Sequence, residues 1–209
     1  MKRNAWILPA MVVVEGIADE AIVNRLLAHI GLTDGWYRLW NTGGKTKILS
    51  KLQAYNLAAR RQPWFVLLDL DSAACAPTWL SETLPVRSEG MCLRLAVRQV
   101  ESWLLADKRG VSEYLGVPSD VIPERPDDCA HAKREMLALA ARGKHRRCKE
   151  MIIKRQGAIL EGPLYTFHIQ QFATDHWDID LASTRSESLS RALAALRRWV
   201  TLWHLETGV

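Results

Sequence analysis

The stretch Trp64-Phe65-Val66-Leu67-Leu68-Asp69-Leu70-Asp71 decides how this chain is read. Its first five residues are all apolar and leave no polar face, as a strand buried on both sides requires. Two acids follow within three positions. An earlier segment has the same form, Met11-Val12-Val13-Val14 and then Glu15-Gly16. Trp36–Trp40, ahead of the turn Asn41-Thr42-Gly43-Gly44, and Met91–Val97 supply two more strands. Helical patterns lie between them. Asp19 and Glu20 open a helix over Ala21–His29 whose stripe is Ile22, Val23, Leu26, Leu27 and Ile30, with Gly31 as its stop. Lys45–Arg61 carries Ile48, Leu49, Leu52, Tyr55 and Ala59 at helical spacing, and Pro63 closes it. Thr78–Leu84 and Gln99–Ala106 read as two further helices. Strand–helix alternation with two-sided apolar strands specifies a parallel sheet covered by helices. The fold class is therefore α/β, with about four parallel strands, and this domain spans residues 1–107.

Residues 108–209 read as a more charged, helical C-terminal region packed on that domain. A Pro-rich run over 118–126 leads into helices near Cys129–Arg142, Cys148–Lys154, Leu164–Thr174 and Ser186–Glu206. No strand pattern follows Val97. Leu189, Leu193, Leu196, Val200 and Trp203 form an apolar stripe that is expected to pack on the first domain.

Composition narrows the function classes. The chain has 209 residues, 28 Lys+Arg against 23 Asp+Glu, net charge +5 and 48% hydrophobic residues. That apolar share excludes wholesale disorder. No apolar run approaches the roughly 20 residues that span a bilayer. Met1-Lys2-Arg3 and the apolar run to Val14 imitate a secretory leader, with Gly16-Ile17-Ala18 as its cleavage site. Pro9 interrupts that run and Glu15 follows it directly, so a buried first strand is the better reading. Cys75, Cys92, Cys129 and Cys148 have no Cys-x-x-Cys spacing and read as thiols in a reducing cytoplasm. The six histidines show no paired zinc spacing, and there is no Gly-x-Ser-x-Gly elbow.

Chemistry points to the acids. Glu15 follows the first strand, Asp69 and Asp71 the third, and Glu101 comes just after the fourth. Ligands of open parallel sheets gather at the carboxyl ends of the strands. Clustered carboxylates repel unless a hard cation lies between them, and Mg²⁺ (or Mn²⁺) prefers such oxygen ligands. One or two ions there would polarise a phosphodiester and activate water. Asp107 reads either as a further member of that acidic edge or, as is commoner for an Asp in this position, as a cap for the next turn. Arg94 and Arg98 flank the fourth strand, where either would neutralise the acids or hold a phosphate.

Val14-Glu15-Gly16, a helix, and Leu68-Asp69-Leu70-Asp71 after an apolar strand resemble the Toprim domain of topoisomerases, primases and overcoming-lysogenisation-defect nucleases. The resemblance implies metal-dependent phosphodiester chemistry, with Glu15 as general acid/base or metal ligand and Asp69 and Asp71 holding the metal. Many Toprim proteins carry another acid two positions after the Asp-x-Asp pair. Here that position is Ala73, which leaves the duty to water or Glu101. There is no tyrosine-bearing topoisomerase domain or primase zinc module. The blocks Val14–Gly16, Gly43-Gly44-Lys45, Leu68–Asp71 and Val97–Asp107 also resemble the bacterial family of the domain of unknown function 4276. That likeness implies a link with phage defence. It also opens an alternative, a non-catalytic subunit beside a neighbouring ATPase or other defence effector.

Two basic features complete the expectations. Asn41-Thr42-Gly43-Gly44-Lys45-Thr46 lacks the first glycine of a P-loop, since Leu39 holds that position. It is still a Gly-rich turn opening a helix, where backbone N–H groups favour anions, so Gly43, Gly44, Lys45 and Lys47 are candidate phosphate contacts. A small-molecule phosphate site there is a third reading. The run Arg142–Lys149, which includes Lys144, Arg146 and Arg147 and continues to Lys154 and Arg155, suits nucleic acid.

Overall fold

The computed structural model describes residues 9–73 and 75–207, with side chains described up to residue 202. Residues 1–8 of the leader-like segment and the side chain of Trp203 lie outside the described part. By their contacts the residues divide into two compact units, Met1–Leu95 with Arg191–Val209, and Ala96–Ser190.

The first unit is built on four strands, β1 (Ala10–Val14), β2 (Tyr37–Asn41), β3 (Trp64–Asp69) and β4 (Met91–Ala96), in a parallel sheet ordered β2-β1-β3-β4. β1 pairs Val12 with Leu39 on one side and with Phe65 on the other. Having neighbours on both edges, β1 and β3 are the central strands, and they carry the continuous apolar runs. β2 lies at an edge, and its burial alternates along Tyr-Arg-Leu-Trp-Asn. The strands are joined by α1 (Ile17–His29), α2 (Lys45–Ala58) and α3 (Ala76–Thr83). The stripe Ile22, Val23, Leu26 and Leu27 buries the inner face of α1. Gly31, at φ 86°, ends that helix as Leu32 N–H returns to the Leu27 carbonyl.

In the second unit, α4 (Val100–Ala106) is buried at all seven positions. A helix buried all round is a core helix. α5 (Lys108–Leu115), α6 (Ala132–Arg142) and α9 (Ile179–Ser183) surround it. The sequence boundary at residue 107 keeps this helix with the sheet. The contacts instead break the chain between Leu95 and Ala96 and return the C-terminal helix α10 (Glu187–Thr207) to the first unit from Arg191 onward. There Trp199 donates its indole N–H to the Gly90 carbonyl at 2.9 Å, and its ring lies 6.3 Å from that of Phe65.

Asp107 is 1% exposed, caps α5 through Gly110 N–H and also accepts Asp178 N–H. Asp127 accepts the Ser186 hydroxyl and Ser188 N–H at the start of α10. Asp107, buried, and Asp127, half-buried, hold loops together by filling backbone donors.

The expectation of no strand beyond Val97 is overturned. The helix read over Cys148–Lys154 stops early: α7 spans Arg146–Met151, and β5 (Ile152–Arg155) and β6 (Ala158–Glu161) form an antiparallel hairpin before α8 (Tyr165–Asp175). Gln156 and Gly157 have φ of 50° and 79°, both positive as in a type I′ two-residue turn. The strands hold only four residues each, too few for their alternation to stand out.

Candidate functional site at the carboxyl edge of the sheet

The site grows from the ends of β1 and β3 and the start of α2. Asp69 N–H donates to Glu15 Oε1 at 2.8 Å, which ties the acid after β1 to the end of β3. The Lys45 amide also hydrogen-bonds the Glu15 carboxylate. Burial is the largest influence on this carboxyl and raises its pKa above the ordinary value. The two amides and the charge of Lys45 pull the other way, while Asp71 pushes it further up.

The turn before α2 is set by the end of β1. Thr42 donates both its amide and its hydroxyl to the Val14 carbonyl, and Asn41 Oδ1 accepts Gly43 N–H at 2.9 Å. Gly43 and Gly44 have φ of 71° and 139°. A side chain at either position would be strained there, so glycine is what lets α2 start close to the sheet edge.

Lys45 is then delivered into the acids. Its ammonium donates to the Asp69 carbonyl and to Asp71 Oδ2, the latter at 2.7 Å, and lies 5.6 Å from the centroid of the Trp79 ring. Asp71 has φ 55°, a conformation that Asp tolerates better than most residues. Asp19 completes the edge by accepting Gly16 N–H at 2.8 Å at the start of α1. Asn41 donates to Glu20 Oε1 at 2.8 Å.

The structure thus brings Glu15, Asp69, Asp71 and Lys45 together. Where the sequence led to a cradle of three carboxylates around a cation, Lys45 pairs with the Asp71 carboxylate, donates to the Asp69 backbone carbonyl and acts on Glu15 through its charge. Among the described residues, no three His, Cys, Asp or Glu side chains are gathered with the spacing of a metal centre. The donor chemistry fits a hard divalent cation, since these acids already flank one positive charge. Seating such an ion calls for the Asp71–Lys45 pair to part.

Two amides of the glycine turn already have internal acceptors, Gly43 N–H in Asn41 and Lys45 N–H in Glu15. Glu101 and Arg98 belong to the second unit. Glu101 is 5% exposed, accepts the Tyr165 hydroxyl at 3.2 Å, and has its pKa raised chiefly by burial. Of the basic run, Arg146 pairs with Glu150 at 3.1 Å, Arg147 lies 4.2 Å over the Tyr114 ring, and Lys144 N–H donates to the Leu115 carbonyl. Lys45 as a counter-ion, Trp79 beside it and Asp19 were not assigned these parts from sequence. The Gly-Gly-Lys spacing marks the lysine, but nothing local shows that it reaches Asp71 rather than a ligand.

The whole chain can be compared with solved structures once this geometry is known. It superposes on the C-terminal region of the Burkholderia pseudomallei OLD protein with a TM-score of 0.52 and 14% identity, over 90% of this chain and 96% of that one. For the C-terminal region of the Xanthomonas campestris pv. campestris OLD protein phased with mercury, the TM-score is 0.50 and the identity 13%, over 93% and 97% of the two chains. The fold is Toprim-like. No family model matches the chain, and no curated protein sequence does. The likeness to the domain of unknown function 4276 therefore rests on the quoted motif blocks alone. No helix among the described residues is long and apolar enough to cross a membrane.

Proposed function

We propose that this protein is a Toprim-like nuclease, cutting phosphodiesters of nucleic acid with the help of Mg²⁺ or Mn²⁺ in the cytoplasm, in the setting of phage defence. The observation that carries the reading is the meeting of Glu15, Asp69 and Asp71 at the carboxyl edge of the sheet, where Glu15 accepts the Asp69 amide and Asp71 pairs with Lys45. Asp69 and Asp71 would hold a divalent ion there, which would supply polarisation of a phosphoryl oxygen and a lowered pKa for its water. Glu15, with its pKa raised, is suited to holding and passing a proton. Lys45, once released from Asp71, places a cation where negative charge builds on a phosphoryl group.

The test is an assay of the purified chain on DNA and RNA with Mn²⁺ or Mg²⁺, against the same protein in EDTA. Cleavage with metal, its absence in EDTA and its loss in Asp69→Ala are the expected results. No cleavage under any of these conditions overturns the reading.

The ion pair itself yields a second prediction. Lys45 and a divalent cation compete for the same carboxylates, and unit charges about 4 Å apart interact by about 1 kcal/mol even in water. Lys45→Met is expected to tighten Mn²⁺ binding, followed by calorimetry, about fivefold or more. An unchanged affinity means that the lysine does not occupy the ion's place.

The same ion pair favours a second reading, in which the acids stay closed on Lys45 and the chain serves as a non-catalytic subunit beside an ATPase or another defence effector. That reading expects Asp69→Ala to retain cellular function and the protein to co-purify with a neighbouring gene product.

A further inference from the structure

We infer that the β5–β6 hairpin is a docking element for duplex DNA, lying in the major groove with its Ile153–Leu160 face toward the base edges; the inference rests on the nucleic-acid reading above and gives it a substrate form. Directly opposed residues of an antiparallel pair share a face. Ile153 opposite Leu160 and Arg155 opposite Ala158 therefore make one face, and Ile152 opposite Glu161 and Lys154 opposite Ile159 make the other. The base of the second face is anchored, with Glu161 Oε2 2.6 Å from Lys133 Nζ of α6.

The first face is open. Ile153 and Leu160 are each 46% exposed, although both are large apolar residues, and Ile159 is 40% exposed. Exposed apolar side chains on a short, anchored ribbon are unusual for a surface with no partner. The charge around them selects the partner. Residues 142–155 hold seven Lys and Arg and a single acid, Glu150. Glu150 is engaged by Arg146 and His168. Among the described residues neither Lys154 nor Arg155, at the tip, pairs with a carboxylate. The complement to such a surface is a polyanion with apolar features between its charges.

Groove dimensions separate the two duplexes. The major groove of B-form DNA, about 12 Å wide, admits a two-stranded ribbon and presents thymine methyl groups to apolar side chains. The major groove of A-form RNA is too narrow for side chains to read. The ribbon, with strands about 4.8 Å apart, fits the first and not the second. Lys154 and Arg155 then meet phosphates at the groove walls while Ile153 and Leu160 face base edges.

The test uses fluorescence anisotropy of the full chain with a DNA duplex of about 20 bp, in EDTA so that binding is read apart from cleavage. Lys154→Gln with Arg155→Gln is expected to weaken binding and to lower the salt slope by about two. Raising salt from about 50 to about 200 mM then costs this variant about tenfold less affinity than it costs the wild type. Ile153→Thr with Leu160→Thr is expected to weaken binding with the slope unchanged. All four side chains are exposed, so the melting curves stay superimposable, and the charge variant remains informative if the apolar one misfolds. Wild-type affinity and slope in the charge variant overturn the proposal. Equal binding of an RNA duplex through the same residues overturns it, as does a wild-type dimer that Ile153→Thr with Leu160→Thr makes monomeric. Cleavage with an indifferent hairpin removes the docking element alone. Hairpin-dependent binding without cleavage removes the nuclease reading alone.

Discussion

Glu15→Gln is expected to lower the rate of nucleic-acid cleavage by about 10²- to 10⁴-fold while leaving the fold in place. The carboxylate accepts the amides of Asp69 and Lys45. A glutamine carbonyl can accept the same N–H groups, so the tie between β1, β3 and the start of α2 survives. What disappears is the negative charge and the exchangeable proton of a group whose pKa burial has raised. The loss should therefore fall on the chemical step, read as a single-turnover rate at saturating Mg²⁺. A melting curve matching the wild type checks that the scaffold is intact. A rate within twofold of wild type at unchanged stability would show that Glu15 does not take part in the reaction.

The second large effect is on stability. Phe65 sits at the centre of β3, fully buried, paired in register with Val12 of β1 and with its ring 6.3 Å from that of Trp199. Phe65→Ala removes an aromatic ring where close packing limits collapse of the cavity, and is expected to cost about 3–5 kcal/mol. For a chain of this size that lowers Tm by roughly 6–20 °C. Leu57 on α2 is 58% exposed, and Leu57→Ala is expected to stay within about 0.5 kcal/mol. Chemical denaturation of the two variants side by side is the measurement. A loss below about 1 kcal/mol for Phe65→Ala would contradict its place in a packed core.

The site and the hairpin differ in how far local pattern reaches. Asp69 and Asp71 are marked by the apolar run before them, and Glu15 by Val12-Val13-Val14. Those runs become the central strands β1 and β3, so the acids lie at their carboxyl ends as the sheet rule requires. Lys45 was legible as a residue of interest but not in its role, because its partners Asp69 and Asp71 are 24 and 26 positions away. Ile152-Ile153-Lys154-Arg155 extended the helical pattern of Arg146–Met151, and only Gly157 signalled the turn that splits it.

From residue order alone came the α/β class, the parallel central strands, the helices between them and the acids at the strand ends, because apolar periodicity is local and each strand or helix announces its own buried face. Tertiary structure alone decided that Lys45 supplies the cation among the acids, that α4 is a core helix of the second unit, and that a hairpin stands among the later helices. Each of these depends on which distant groups meet once the chain closes, and spacing along a sequence carries no measure of that distance.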